Sequence, residues 1–161
     1  MSHLKIVHLL LLVMLMGCKS TCVRTQTTSQ LIDNNPRFVD LLSEKQIAII
    51  EDLVSVDVYN IQSYLIEGTE NEYSKKSVFV KTLSDKEKIS FLNMLINDAH
   101  YNWEKEESIN YHPNIQYLLK DTDEQFLLLY SKSSQELGII DLEGQKTVSV
   151  QSNLNKFLIA K

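Results

Sequence analysis

At 161 residues, 43% of them hydrophobic and 23% charged, the chain has room for one domain with at most a short appendage. Twenty-one acidic residues against 16 basic ones leave a net charge of −5, which opposes the counterion release that drives nucleic-acid binding and sets that partner class aside. Ordinary hydrophobic content excludes wholesale disorder, and two cysteines cannot make a disulfide-dense scaffold.

In chain order the first element is an export signal. A short start with Lys5 precedes an apolar run, Ile6 to Met16, broken only by His8 and followed by Gly17. Such a run in a helix rises roughly 16 Å, about half the hydrocarbon thickness of a bilayer. It is too short to span comfortably and has the layout of a secretory signal. At its end Leu15-Met16-Gly17-Cys18 resembles a bacterial lipobox, with an aliphatic residue three before the cysteine and a small one just before it. Met16 is an uncommon middle residue. The resemblance covers the first 18 residues. It implies diacylglyceryl attachment to the Cys18 sulfur, cleavage after Gly17 and acylation of the new amino terminus, a palmitate-type anchor. One acyl chain binds a membrane marginally, whereas two or three, at about 0.8 kcal/mol per buried methylene, hold firmly. The alternative is an ordinary secreted protein in which Cys18 is incidental.

Loss of residues 1–17 leaves 144 residues, removes Lys5 and so takes the net charge to −6, and leaves His100 and His112 as the histidines. Lys19 stands where an Asp would resemble the inner-membrane retention signal of Gram-negative lipoproteins. Its presence implies the outer membrane where the organism has one. With Cys18 acylated, Cys22 is the remaining thiol, either an inert tether residue or a bridge joining two copies as a homodimer.

Residues 19–37 are rich in Ser, Thr, Gln and Asn, with Pro36 near their end, which is tether composition with a root-mean-square reach of about 25 Å. The division is therefore a signal at 1–17, a lipidated cysteine and flexible tether at 18–37, and a single domain at 38–161. Within that domain Ser43-Glu44-Lys45-Gln46 has capping-box spacing ahead of Ile47, Ile50 and Val54, predicting a helix over 44–54. Val56, Val58, Tyr59, Ile61 and Tyr64 predict a strand over 56–66, residues 68–76 a polar loop, and residues 77–83 a second strand. Ser84-Asp85-Lys86-Glu87 caps a second helix, whose stripe of Ile89, Leu92, Leu95, Ile96 and Ala99 carries it to about His100. A polar, aromatic loop over 101–113 precedes four strands at 115–119, 126–131, 137–141 and 147–151. A short amphipathic helix with Leu154, Phe157 and Leu158 closes the chain. Short links between successive strands require antiparallel pairing. The predicted fold class is α+β, an antiparallel sheet of about five to six strands with helices packed on one face.

Chemistry is sparse. Gly68, Gly138 and Gly144 are scattered, so no Gly-rich phosphate cradle or dinucleotide fingerprint forms, and no G-x-S-x-G elbow occurs. Ser131, Ser133 and Ser134 read as turn serines before they read as nucleophiles. Asp121-Thr122-Asp123 starts like a calcium loop, but Phe126 and Lys132 stand where Gly and a bidentate Glu belong, which makes it a turn.

The stretch from His100 to His112 holds both mature histidines and the single Trp. With the second helix extended by a turn, His100 and Glu104 would share a face and His112 could return as a third ligand for a divalent ion. The simpler account has His100 at the helix end, Tyr101 and Trp103 over the core edge, and the glutamates solvated. Tyr101, Trp103 and Tyr111 are also candidates for anchoring a protein partner. The function expected is a lipid-anchored, non-catalytic binding module of the cell envelope, needing no cofactor and joined to the membrane through its lipid. The alternative is a metal-assisted envelope hydrolase using His100, Glu104 and His112.

Overall fold

A computed structural model describes residues 36–105, 110–141 and 144–159. The signal, Cys18, Cys22 and nearly all of the tether lie outside the described residues.

The chain enters through a 3-10 turn at Val39–Leu41 and then forms helix α1, Glu44–Glu51. The Ser43–Gln46 capping box is made reciprocally. Gln46 N–H donates to Ser43 Oγ at 3.3 Å, and Ser43 N–H donates to Gln46 Oε1 at 2.9 Å. Gln46 is buried, and its Nε2 donates to the Ile140 carbonyl at 2.9 Å, so one side chain both caps the helix and ties it to the sheet. Two strands follow as a hairpin, β1 (Ser55–Leu65) and β2 (Tyr73–Thr82), and then helix α2 (Asp85–Leu95). Glu87 accepts from both Ser84 N–H and Ser84 Oγ at 2.9 Å, fixing the start of α2.

The second helix stops a turn earlier than its apolar stripe predicts. Residues 98–100 form a separate 3-10 turn, because Asn97 Oδ1 accepts from Ala99 N–H and starts a new cap. Asp98 is drawn off besides. Its carboxylate accepts from the backbone N–H groups of Arg37 and Phe38 at 2.9 and 3.2 Å. The chain then extends as the two-residue strand β3 (Tyr101–Asn102), inside the stretch read as loop. Strands β4 (Ile115–Lys120), β5 (Gln125–Ser131), β6 (Glu136–Asp141) and β7 (Gly144–Val150) and helix α3 (Ser152–Ile159) complete the fold.

The fold is α+β, with an antiparallel sheet of seven strands in the order β2-β1-β4-β5-β6-β7-β3, more than the five or six expected. The surplus is β3, which pairs Tyr101 with Val150 and Asn102 with Ser149, a match of two residues that leaves no periodicity to read. The second hairpin strand also begins four residues before its predicted start. Tyr73 to Lys76 pair with Leu65 to Gln62 in a part of the hairpin exposed on both sides, where apolar alternation has nothing to face.

One face of the sheet carries the core. Val56, Val58, Ile115, Tyr117, Leu119, Leu128, Tyr130, Leu137 and Ile139 are buried there in one cluster with Ile49, Ile50, Phe91, Leu95, Leu154 and Leu158 of the helices. Phe91 of α2 meets Tyr117 at 4.9 Å between ring centroids. Tyr117 Oη donates to the Leu158 carbonyl of α3 at 2.7 Å, and Tyr130 Oη bonds Asn155. The opposite face is laid out by register. Asp57, Leu118, Leu127 and Ile140 form one cross-strand row, and Tyr59, Gln116, Leu129 and Gly138 the next. Among the described residues no helix is long and apolar enough to cross a membrane.

Candidate functional site

Residues with chemical or recognition potential gather in two places: the segment around residues 98–114, and the hairpin β1–β2.

In the first, each of the aromatics that were candidates for anchoring a partner makes contacts within the domain. Tyr101 is 2% exposed, its ring stacked on Phe38 at 5.2 Å and tilted against Trp103 at 5.1 Å. Its Oη donates to the Leu95 carbonyl. Burial, reinforced by the charge of Asp98, raises its pKa well above that of a free phenol. A side chain so enclosed cannot anchor an interface. Trp103 is half-buried; its Nε1 donates to the Asp98 carbonyl at 3.3 Å, and the Arg37 guanidinium lies 4.7 Å over the ring. With Gln151 N–H donating to the His100 carbonyl at 2.7 Å and Gln151 Nε2 to the Tyr101 carbonyl at 3.0 Å, this segment fastens the start of the domain to its end.

Tyr111 crosses the open face of the sheet. Its Oη donates to the Leu129 carbonyl at 2.8 Å, above Gly138, whose missing side chain leaves the space it occupies. Burial raises its pKa; the Gly138 backbone works against the rise and the negative charge of Glu136 adds to it. Beyond Gly138 the face turns polar. Ser131, Glu136 and Ser149 stand side by side in register and all are buried, Glu136 being 1% exposed. Ser131 Oγ lies 3.2 Å from Ser133 Oγ and accepts from the backbone N–H groups of His112 and Ser134 at 3.3 and 3.4 Å. Those bonds fix a turn, as the serine spacing suggested; the His112 contact is through the main chain, not the imidazole.

The proposed metal set is not assembled. Sharing a face between His100 and Glu104 required a continuous helix, and the backbone is extended at Tyr101–Asn102 instead. Among the described residues no group of three His, Cys, Asp or Glu side chains comes together to hold an ion. Asp121 is a turn residue, its Oδ1 accepting from the N–H groups of Asp123 and Glu124 at 2.7 and 2.6 Å.

The second place is one that periodicity alone did not reveal. β4 pairs with β1 only through Ser55–Asn60, so residues 61–65 of β1 and 73–77 of β2 continue as a two-stranded ribbon beyond the body of the sheet. β2 is one of the two edge strands of the sheet, β3 being the other. Tyr64, Leu65, Ile66, Tyr73, Phe79 and Val80 are exposed on this hairpin, Tyr73 at 67% and Phe79 at 55%. Single exposed apolar residues are ordinary, but a cluster on one projecting element is the usual mark of an interaction surface. The hairpin is firmly rooted. Asp57 bonds Lys120 Nζ at 2.7 Å and accepts from Thr82 Oγ1. Burial pushes the Asp57 carboxyl up, but the bonds from Lys120 and Thr82 outweigh it and hold the group below the usual carboxylate range. Tyr59 packs edge-on against Phe79 at 5.6 Å, and Ser77 Oγ donates to Gln116 Oε1 at 2.9 Å.

No protein-family model, no curated protein and no solved structure matches this chain.

Proposed function

We propose that this chain is a lipid-anchored protein of the bacterial cell envelope, held in the outer membrane where there is one, whose α+β domain is a non-catalytic binding module for another protein. The lipobox-like run Leu15-Met16-Gly17-Cys18 carries the anchoring half of this reading, because two or three acyl chains make a stable attachment where one does not. The exposed aromatic and aliphatic residues of the β1–β2 hairpin support the binding half. Tyr101, buried and with its hydroxyl taken up internally, lies outside that recognition surface.

The test is made on the full chain in bacterial cells. Radiolabelled palmitate is expected to enter the wild type and not Cys18→Ser, and the labelled product is expected to lack residues 1–17. Cross-linking in intact envelopes, followed by capture of the anchored chain, is expected to recover a defined protein partner. An unlabelled product that retains Met1 refutes the anchor, and a chain that cross-links to nothing in the envelope refutes the binding module.

A further inference from the structure

The hydrogen-bond phase of the hairpin decides which backbone groups of β2 point outward. Ile66 N–H donates to the Glu72 carbonyl at 2.8 Å, which makes 66 and 72 a hydrogen-bonded pair. Bonded and non-bonded pairs alternate along an antiparallel ladder, so from the register Leu65↔Tyr73, Tyr64↔Ser74 and onward, Ser74, Lys76 and Val78 turn their N–H and C=O groups toward β1. Tyr73, Lys75, Ser77 and Phe79 turn theirs away. An independent bond agrees: Ile61, paired with Ser77, sends its N–H to the Asn114 carbonyl on the other side of β1 at 2.8 Å. The run ends at a bulge, where Tyr59 faces Phe79 and Val58 faces Lys81, leaving Val80 as the extra residue. Tyr73–Phe79 is thus a regular edge whose outward amides meet no further strand among the described residues.

Charge says what this edge accepts. Residues 73–82 include Lys75, Lys76 and Lys81 and no acidic residue, in a chain whose net charge is −5. Lys81 is neutralised by Glu87 at 2.6 Å. Lys75 and Lys76 make no ion pair among the described residues, and the Lys76 ammonium rests 5.6 Å over the Tyr64 ring. Lysines on an edge strand guard against indiscriminate pairing, yet here Lys75 and Lys76 lie between the exposed Tyr73 on one side and Phe79 and Val80 on the other. That combination repels a basic strand and rewards an acidic one that also brings apolar side chains. A second copy is disfavoured by the same charges. Each copy would bring its lysines to one seam, and antiparallel registers centred on Lys75 or Lys76 set lysine directly opposite lysine.

We infer that the outer edge of β2, Tyr73–Phe79, is a strand-addition site for an extended, acidic and apolar segment of a partner protein. This deepens the binding-module reading and rests on it. Main-chain hydrogen bonds to the four outward residues would give affinity, and Lys75 and Lys76 with Tyr73 and Phe79 would give selectivity, the division of labour seen wherever a peptide adds to a sheet edge.

The test uses the full-length chain purified in detergent and a fluorescent peptide of alternating valine and glutamate long enough to span Tyr73–Phe79. Binding is expected by anisotropy, weakening with salt, and the lysine counterpart of the peptide is expected not to bind. Ser77→Pro removes an outward N–H and leaves the β1 ladder intact, since proline is tolerated on the open side of an edge strand. It also loses the Ser77 Oγ bond to Gln116, as Ser77→Ala does without touching the N–H. It is therefore expected to bind about tenfold or more weakly than Ser77→Ala while the two variants unfold at similar temperatures. The double variant Lys75→Glu/Lys76→Glu is expected to reverse the preference between the two peptides. Failure of the acidic peptide to bind, equal binding of the basic one, or indifference to Ser77→Pro overturns the inference. So does a wild-type dimer in sedimentation that Ser77→Pro dissolves, which would give the edge to a second copy. Envelope cross-linking that survives Ser77→Pro would sink the edge while leaving the binding module standing.

Discussion

Gly138→Ala is the most informative single change in the sheet. The glycine is not in the left-handed region, so alanine fits the backbone and the effect comes from space alone. A methyl group there would lie deep inside contact distance of Tyr111 Oη and 3.0 Å from Tyr111 Cζ. β6 is paired on both sides and cannot retreat, whereas Tyr111 is only half-buried and can swing away. Leaving costs the hydrogen bond to the Leu129 carbonyl, about 1 kcal/mol, and burial of part of the ring, about 1 kcal/mol more. The narrower freedom of alanine in the unfolded chain returns about 0.4–1 kcal/mol. The net loss is about 1–2 kcal/mol.

Urea unfolding followed by fluorescence measures it, because Trp103 is the single tryptophan and sits in the Tyr101–Phe38 stack. With a urea slope of about 1.5 kcal/mol/M the midpoint falls by about 1 M. The decisive comparison is a double-mutant cycle. In a Tyr111→Ala background nothing occupies the space, so Gly138→Ala is expected to be neutral or to stabilise, a coupling of about 2 kcal/mol. Equal destabilisation in both backgrounds would refute the claim that Tyr111 is what the glycine accommodates.

Tyr117→Phe deletes the 2.7 Å bond to the Leu158 carbonyl and is expected to speed amide exchange across Ser152–Ile159 about tenfold, read by mass spectrometry, while exchange in β4 stays slow. Asp57→Ala removes the carboxylate that Lys120 and Thr82 share; its 12% side-chain exposure and the 33% of Lys120 put the cost between surface and buried pairs, about 1–2 kcal/mol at neutral pH. Because the folded pKa of Asp57 is lowered, its share of stability is present above the ordinary carboxylate value and is lost as pH falls through the lowered one. Lys120 is raised, by its bond to Asp57 above all, so its share is complete below about pH 10 and is lost only as pH rises through the raised value. Denaturation measured against pH should therefore show wild type and Asp57→Ala converging in acid. Glu87, hydrogen-bonded by Lys81 and by the Ser84 N–H and hydroxyl, is held down at about 2, and NMR titration of its side chain is expected to give that midpoint and a higher one in Lys81→Met.

The elements that could be read in the sequence were those with a periodic face. α2 shows its stripe because Phe91, Leu92 and Leu95 must reach the core, and β4 alternates because Ile115, Tyr117 and Leu119 point inward while Gln116, Leu118 and Lys120 do not. Where only tertiary contact decides, the sequence is silent. The turn that follows α2 begins at a local Asn97 cap, but the hold on it comes from Asp98 meeting the backbone of Arg37 and Phe38, about sixty residues away. β3 exists because Gln151 and β7 lie alongside. The loop 101–113 looked like a site because His, Trp, Tyr and Glu concentrate there. A chain rich in such residues is also what it takes to close a core edge with stacked rings and internal hydrogen bonds.

The hairpin illustrates the opposite failure. Its distal half lacks alternation because neither side is covered, so residues 68–76 resemble a loop until the pairing Leu65↔Tyr73 is known. Once the ladder is set, register assigns more than secondary structure. It separates the amides of Ser74, Lys76 and Val78, committed to β1, from those of Tyr73, Lys75, Ser77 and Phe79, which face outward. Composition could show three lysines among aromatic and β-branched residues, but not that four main-chain amide groups stand in line beside them. Selectivity at a sheet edge is carried by side chains and affinity by the backbone. The backbone half is fixed by a single shift of register: slide β2 by one residue and the outward set becomes Ser74, Lys76 and Val78, with Tyr73 and Phe79 turned to the other face. The bulge at Val80 and the Tyr59–Phe79 contact lock that choice, so the root of the hairpin, where Phe79 closes the edge, determines which backbone groups the whole run from Tyr73 presents.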